Sequence, residues 1–569
     1  MPSSGYLTVR FVPQLDSEAT QVEKELETAN QKSHAARWSH DKRKRRKQEQ
    51  KALLLSEGRG KWRHHDASAI YGHSAGRQKE IRGDSGLLLY EGDHSLQPRR
   101  PHTARDSIPS LLEVLPGGNS DPFNALALQI TPEINKLITF IRDGYLPGVY
   151  ITSYMKFKEA PRGAPMLTTI GEGFHVFGQR TVAKVWNSMK EEFSDEGRAL
   201  SWCSSYIPVL AKFSSPETAR DLQFLAIKMR TKSMMMLKKR IENLSLDVPP
   251  EISLVSQIVS LFRAACKEND IPAAKVHANI IQRLVDRVET PDLHIRTLFM
   301  TCMNNDTELA IAQMRNTFFD FENWVQKQIA RFWVETPEKH MPQLPADYKA
   351  LHESIQLDAT RQAAIRLRQY LFVRSTTVNL NDPDDLDRTD AIYTIFTTYA
   401  QYDSGALINA YINLIAGKVY KMEESLRYIE ASLALTTLHI LRRGIFEATI
   451  YGYDHRTSHH MITINHLEGT MRTALTFATA HELTQYREAL LWIFFYGARF
   501  EWRVNQTIQD IMAPRTWFTK KFARQAEILQ LIEWPQARDI LNHFVFYEFL
   551  EPYLATWFAE TIASNEPSQ

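Results

Sequence analysis

The sequence predicts an all-α protein, a multi-helix antiparallel array preceded by a disordered, basic amino-terminal arm. From Asp121 almost to the end of the 569-residue chain, apolar residues recur at helical spacing. Strand-like alternation is scarce, and its main examples are "GVYITSYM" and "MITINHL". Because no repeat of fixed length is visible, we do not expect a regular solenoid.

Changes in composition divide the chain into four segments. Residues 1–27 form an amino-terminal extension that begins with the strand-like "YLTVRFV". Residues 28–56 lack Gly and Pro and are rich in helix-forming residues, which predicts a basic helical segment. Residues 57–120 are rich in Gly, Ser, His, Arg and Pro, which is typical of a disordered linker. Residues 121–563 form the all-α domain.

Helical periodicity predicts a series of helices within the all-α domain. In "HANIIQRLVDRV", for example, apolar residues fall at i, i+3, i+4 and i+7. The aromatic residues Trp492, Trp517, Phe518 and Trp534 are expected in the hydrophobic core. The predicted helices cover residues 181–192, 219–244, 252–267, 277–288, 306–333, 359–373, 388–400, 405–418, 422–442, 466–483, 485–504, 522–531 and 535–548.

Composition and charge limit the class of protein. A hydrophobic fraction of 43% and an aromatic fraction of 11% require most of the chain to fold. Residues 1–120 carry 20 Lys and Arg against 15 Asp and Glu, whereas the remainder is slightly acidic. The excess positive charge is therefore concentrated in the amino-terminal part of the chain. The cysteines Cys203, Cys266 and Cys302 are too widely separated for a zinc ribbon or cluster, and their small number favours a reducing compartment.

Targeting and membrane segments are not predicted. The initial "MPSSGYLTVRFVPQ" contains no apolar stretch long enough for a signal peptide. The longest apolar run, "ALLWIFFYGA" at 489–498, has about half the length that a bilayer span needs. It predicts a buried core helix, so no membrane partner is expected.

The basic arm contains the densest charge in the sequence. Residues 32–47 hold eight Lys or Arg and one Asp, a net charge of +7. Such a run is typical of a nuclear import signal, which an import receptor reads, and of phosphate contact with DNA. A solvated arm with neither role is the alternative. The candidate contact residues are Lys32, Arg37, Lys42, Arg43, Lys44, Arg45, Arg46 and Lys47.

Part of this arm is similar to the contact helix of basic-leucine-zipper proteins, but essential pieces are missing. Lys32 and His40 stand where that helix has Asn and Arg. The leucines at 53–55 are followed by Gly58 and Gly60, so no heptad zipper can continue. The sequence does not predict a zipper protein.

Two histidine-containing motifs suggest metal chemistry only weakly. "HELTQ" begins like HExxH, but Gln485 stands where the second zinc-binding His would be. "DHRTSHH" offers His455, His459 and His460, and the first two would share a helix face. The neighbouring Gly, Thr and Ser predict a loop instead, so we expect no metal there.

Two further motifs lack the spacing of known ligand sites. In "GEGFHVFG", at 171–178, the last Gly is two residues late for a dinucleotide fingerprint. "NDPDDLD", at 381–387, lacks the spacing of a calcium loop and predicts an acidic loop that caps the next helix. The sequence therefore predicts no cofactor and contains no recognisable catalytic motif.

Several motifs, taken in order, resemble a known family. They are "SHAARWSHDKRKRRKQ", "SDPFNALALQITPEINKLITFI" with Asp121, Pro122 and Phe123, "VHANIIQRLVDRV" with Leu284 and Val285, and "ALLWIFFYGARFE…TWF…EWPQARDILNHFVF". The last resembles the closing helices of the family in Leu490, Leu491, Trp492, Gly497, Trp517, Phe518, Trp534, Ile540, Leu541 and Phe544. The pattern is similar to that of the fungal-specific transcription factor domain, the middle homology region of zinc-cluster regulators.

This resemblance implies a fungal nuclear protein that regulates transcription. The zinc cluster that reads DNA in such regulators needs six closely spaced cysteines, and this chain has three in all. The resemblance therefore implies binding and recruitment without that module, with other transcription regulators as partners.

Three functional hypotheses follow. The first is a transcription-regulator-like nuclear protein that acts by binding and recruitment. The second is a helical metabolite-binding protein or enzyme, for which His455, His459, His460, His481 and Glu482 are the candidates. The third is a scaffold that binds another transcription factor and never touches DNA.

Overall fold

The structure is a computed structural model. It describes residues 127–146, 191–242, 249–289, 292–333, 350–375, 383–417, 422–446, 459–507, 515–548 and 553–563, with a few isolated positions between them. All described residues belong to one compact unit of the chain. The segments predicted at 1–27, 28–56 and 57–120 lie outside the described residues, as do "GVYITSYM" and "GEGFHVFG".

The described part of the chain is all-α, as predicted, with helices and no strand. Short π-helical segments, Phe140–Tyr145 and Phe321–Val325, extend α1 and precede α7. The sixteen α-helices of the described part are α1 (Pro132–Thr139), α2 (Glu196–Ala211), α3 (Pro216–Glu242), α4 (Ile252–Lys267), α5 (Ile271–Val285), α6 (Leu293–Gln313), α7 (Gln326–Phe332), α8 (Asp358–Ser375), α9 (Pro383–Ala416), α10 (Glu424–Phe446), α11 (His459–Phe477), α12 (Ala480–Gln485), α13 (Arg487–Thr507), α14 (Trp517–Ile528), α15 (Trp534–Leu541) and α16 (Leu554–Ala563).

Aspartate side chains set the start of several helices. Asp195 Oδ1 accepts a hydrogen bond from the N–H of Arg198 at 2.8 Å and begins α2. Asp292 does the same for the N–H of Ile295 at the start of α6, also at 2.8 Å. Each side chain satisfies one of the N–H groups that a helix leaves unpaired in its first turn.

Three apolar clusters hold the helices together. The first lies among α1, α2 and α3, and the second lies among α4 to α7 with the carboxyl end of α3. The third and largest joins α8 to α16 with the end of α6. Neighbouring helices joined by short turns, such as α2 with α3 and α4 with α5, pack directly against each other, which is the arrangement of an antiparallel array.

The aromatic core prediction is confirmed. Trp492 and Phe518 are fully buried, Trp534 is 6% exposed, and Trp517 packs against the third cluster while partly exposed. The apolar run at 489–498 lies in α13 and is a buried core helix, as predicted.

The helix predicted at 306–333 is interrupted, so that prediction is wrong in its middle. α6 ends at Gln313, and Met314 adopts a left-handed backbone with φ of 44°. The buried carboxylate of Asp306 accepts hydrogen bonds from the N–H groups of Phe318 and Phe319 at 2.8 to 2.9 Å. These tertiary bonds hold the backbone in a turn where the local sequence favours a helix.

The helices predicted at 388–400 and 405–418 are a single helix, α9, so the break expected between residues 400 and 405 is wrong. An added Cβ at Gly405 would overlap the ring of Phe321, so glycine permits a close helix contact here and does not end the helix. The preceding Asp403 is buried and forms an ion pair with Arg366 of α8.

Two other local predictions are corrected. "MITINHL", predicted as strand-like, lies in α11 and buries Ile464, Leu467 and Met471 at helical spacing. The loop predicted at "NDPDDLD" gives way to α9, which begins at Pro383 within that motif. In both places packing of a long helix decides the backbone conformation.

Two helical glycines provide a test of this packing. Gly497 of α13 lies against the buried ring of Phe518, which a Cβ would overlap, whereas an added Cβ at the exposed Gly469 of α11 meets nothing within 4 Å. We expect Gly497→Ala to lower the free energy of unfolding by about 1–3 kcal/mol through overpacking. Gly469→Ala should raise it by about 0.5–1 kcal/mol through helix propensity. Urea unfolding of both variants measures these two changes in the free energy of unfolding, which should have opposite signs. Changes of the same sign would contradict the close contact between Gly497 and Phe518.

Candidate functional site

The predicted contact residues of the basic arm lie outside the described residues. This holds for Lys32, Arg37 and the run Lys42–Lys47. Their role stays a prediction from the sequence, and the described residues offer a different candidate site.

A junction of five helices brings ionisable side chains together around Glu308, which lies on α6. Lys212 directly follows α2, Lys267 ends α4, Arg442 lies near the end of α10 and His459 begins α11. We call these five residues the Glu308 cluster. α4 and α11 both pack against α6, and α10 packs against α11, which explains how distant segments meet here.

The carboxylate of Glu308 is the centre of the contacts. Its Oε2 accepts a hydrogen bond from Nζ of Lys267, and Arg442 Nη2 lies 3.5 Å from its Oε1. Asn304 Nδ2 donates to the same Oε1 at 3.3 Å. Glu308 is 8% exposed and Arg442 is 5% exposed. Lys212 is exposed, so the cluster extends from the protein interior to its surface.

Burial and mutual charge set the protonation states of the cluster. Burial opposes ionisation of Glu308, but Lys267 and Arg442 outweigh it and lower the pKa of the carboxyl below its ordinary value. Burial lowers the pKa of His459 to about 4, so its imidazole is neutral at pH 7. Partial desolvation lowers the pKa of Lys212, although this side chain reaches the surface, and the positive charge of Lys267 adds to this effect.

A pair of histidines lies on the same two helices, α10 and α11. Nδ1 of His439 and Nδ1 of His460 are 3.3 Å apart, and the two rings meet edge to face at 5.0 Å. The ring of Phe500 packs against His439 at 5.8 Å. His439 is almost fully buried. One imidazole must donate its Nδ1–H to the other, which fixes complementary tautomers.

The prediction that "DHRTSHH" is a loop is therefore wrong at its end. His459 and His460 begin α11, while His455 lies outside the described residues. The structure places His459 near enough to Glu308 for a charge on either group to shift the pKa of the other, and it pairs His460 with His439. Among the described residues, no group of three or more His, Cys, Asp or Glu side chains is placed to hold a metal ion.

The "HELTQ" motif forms a helix cap. Thr479 N donates to Glu482 Oε2 at 2.7 Å, and Glu482 N donates to Thr479 Oγ1 at 3.3 Å, which completes a capping box for α12. Hydrogen bonds from Ser425 and Thr479 lower the pKa of Glu482. His481, the neighbour of Glu482 in this helix, is exposed. The motif is accounted for by helix capping.

A second buried ion cluster packs the carboxyl-terminal segment against α13. Glu551 Oε2 accepts a hydrogen bond from Arg499 Nε at 2.9 Å and also pairs with Arg503. The fully buried guanidinium of Arg499 lies over the rings of Trp502 and Trp557 at 4.3 and 4.9 Å. Because aromatic rings enclose this charge, the cluster is structural.

Sequence reasoning missed the Glu308 cluster. Its signal in the sequence is modest: Glu308 stands in "TELAIAQ" and Arg442 in "LHILRRG", each next to a run of apolar residues. A charge inside a buried stretch needs partners. The partners of Glu308 lie 41 and 134 residues away in sequence, so no local pattern identifies them.

The described part of the chain thus defines an all-α protein whose candidate site is an ion cluster at a helix junction. No family model, curated protein or solved structure matches the chain. Among the helices that the structure describes, none combines the length and the apolar character that crossing a membrane requires.

Proposed function

We propose that this chain is a transcription-regulator-like nuclear protein that acts by binding and recruitment. The observation that carries the proposal is the run at 32–47, with a net charge of +7 in a chain whose total is +2. Charge of this density binds a receptor or a polyanion without needing a folded site. The family resemblance of the sequence adds transcription regulators as partners.

The contacts of the helical body support recognition as its role. Its buried carboxylates accept hydrogen bonds from the chain itself. Asp306 holds a turn, Glu501 accepts from the N–H groups of Phe518 and Thr519 at the start of α14, and Glu551 holds Arg499. These groups hold the helix array in one arrangement and so present a stable surface.

Replacing Lys42–Lys47 with Ala in the full chain is expected to exclude a fluorescent fusion from the nucleus. The change removes six of the eight positive charges of the run, and an import receptor reads that charge. The matched control replaces Lys42, Lys44 and Lys47 with Arg, which keeps the charge and should keep the protein nuclear. An unchanged distribution of the Ala variant would refute the import role.

DNA contact by the arm is tested separately from import. Duplex binding is compared for the full chain and for a deletion of residues 28–56 at two salt concentrations. Binding that depends on the arm and weakens with salt is expected for phosphate contact. Equal, weak binding by both forms would show that the arm does not contact DNA. The protein would then act as a scaffold for another transcription factor.

A second candidate function is that of a helical metabolite-binding protein. The Glu308 cluster favours it, because Lys212, Lys267 and Arg442 converge with a neutral His459 at a site that extends to the surface. Cationic side chains in this arrangement suit a carboxylate or phosphate group. A chain that stays outside the nucleus and does not occupy chromatin would favour this candidate over the first.

A further inference from the structure

Helix α3 has apolar residues on two opposite faces. Its inner face packs into the first and second clusters through Leu222, Ala226, Met229 and Leu237. The outer apolar residues are exposed by 37 to 73%. They are Phe224, Ile227, Met234, Met235 and Ile241. An exposed apolar stripe on a helix that is already anchored marks an interaction surface.

The spacing of the outer face is that of a helix-pairing seam. Positions 224, 227, 231, 234, 238 and 241 alternate in steps of three and four, which keeps them on one side of a helix that pairs with another. We call these six positions the α3 seam. Thr231 and Lys238 are its polar members, and such residues fix the register of a pair. The seam is about 26 Å long, enough for a partner helix of nearly five turns.

Charge along the seam indicates the partner's composition. Lys228, Lys232 and Lys239 follow one edge of the seam, all exposed. Lys232 Nζ lies against Glu196, and Lys238 lies 3.7 Å from Glu242. Asp221 is the acidic residue at the amino end of that edge. Because Lys232 and Lys238 already have acidic neighbours within the chain, a partner helix with acidic residues beside its apolar stripe would chiefly complement Lys228 and Lys239.

We propose that the α3 seam binds an acidic amphipathic helix of another protein. The inference rests on the proposed function in one respect, because it names the chemistry of the partner that recruitment requires. The apolar stripe supplies the buried contact, and the lysine edge selects the partner and sets its orientation. A second copy of this chain or an anionic lipid surface are the competing occupants.

The test uses the full chain and a synthetic helix of about 20 residues, the length of the seam. This peptide carries Leu at steps of three and four with Glu on both flanks, and a scrambled peptide has the same composition. We expect fluorescence polarisation to show binding of the patterned peptide only. Added salt should weaken this binding, because the lysine edge contributes. A version with Lys in place of Glu should bind at least about tenfold more weakly.

Variants of the seam and of a matched surface locate the binding. The double change Ile227→Glu and Met234→Glu should weaken peptide binding at least about tenfold, since it adds two charges to the seam. The control, Ile528→Glu and Ile532→Glu, changes two isoleucines that are 55% and 79% exposed on another surface, and it should bind like wild type. Circular dichroism confirms that both variants fold.

Three outcomes would overturn the proposal. They are equal binding by the two double variants, a concentration-dependent dimer in sedimentation that the seam variant abolishes, and binding to phosphatidylserine vesicles in place of the peptide. Loss of peptide binding by the α3 seam can be distinguished from loss of nuclear entry, on which the proposed function depends. Nuclear entry depends on Lys42–Lys47, so the seam variant should still enter the nucleus, and an import-deficient chain should still bind the peptide.

Discussion

Glu308→Ala is expected to lower the free energy of unfolding by about 3–5 kcal/mol, the range measured when one partner of a buried ion pair is removed. The side chain is 8% exposed, and its carboxylate contacts both Lys267 and Arg442. Without it, two cationic groups at the helix junction lose the same counter-charge. Chemical denaturation at pH 7, with the midpoint and slope both fitted, measures the loss.

The matched control is Glu242→Ala on α3. Glu242 pairs with Lys238 at 3.7 Å, and their side chains are 58% and 77% exposed. Exposed pairs contribute at most about 1 kcal/mol, so this variant should unfold close to the wild-type midpoint. If the two alanine variants lost equal stability, the central role of Glu308 at the junction would be wrong.

Glu430→Gln is expected to flatten the pH dependence of stability. Glu430 of α10 is 1% exposed, and its Oε1 accepts a hydrogen bond from the N–H of Gln356 at 3.4 Å. Among the described residues its Oε2 has no hydrogen-bond partner. Burial raises the pKa of this carboxyl to about 7, although hydrogen bonds from the backbone at Gln356 and Leu357 oppose the shift.

The sign of this effect follows from proton binding. Between pH 4.5, where the unfolded carboxyl titrates, and about 7, where the folded one does, the folded state binds more protons. The free energy of unfolding therefore falls as pH rises, and the stabilisation present below 4.5 is lost through pH 7. The loss is on the order of 3 kcal/mol for a shift of this size.

Unfolding of wild type and Glu430→Gln at pH 4.5 and pH 8 measures this difference. Glutamine keeps an oxygen that can accept from Gln356 but does not titrate, so its profile should lack the part of the fall that Glu430 carries and keep the smaller part due to Asp306, whose pKa is raised to about 6. The same change at Glu424, whose side chain is 51% exposed at the start of α10, should leave the wild-type profile unchanged. Parallel profiles for wild type and Glu430→Gln would show that Glu430 does not carry the dependence.

The sequence predicts a helix and its limits well where residues of the helix itself determine them. The helix predicted at 252–267 is α4, with the same limits, because a continuous apolar stripe defines it. Periodicity predicts a helix that continues through residue 314, but hydrogen bonds to Asp306 impose a turn there. Periodicity fails again between 400 and 405, where α9 continues without a break and the following Gly405 accommodates the ring of Phe321. In both cases the cause is a contact between distant segments.

The candidate site was beyond sequence reasoning for the same reason. Histidine motifs directed attention to His459 and His460, and one of these does join the Glu308 cluster. The central carboxylate and its cations carry no motif, since each is a single charge on a different helix. Conversely, the motif that begins like the zinc-binding HExxH, "HELTQ", is explained by the capping box of Thr479 and Glu482.

The three thiols give this protein internal reporters of local opening. Cys203 lies in the first apolar cluster, Cys266 and Cys302 lie in the second, and the third cluster contains none. Burial raises the pKa of all three, so each remains a protonated, shielded thiol in the folded chain. Alkylation must wait for the surrounding helices to separate, and its rate then falls about tenfold for every 1.4 kcal/mol of opening free energy. Alkylation followed by mass spectrometry can thus report opening of the first and second clusters, whereas opening of the third cluster leaves no label.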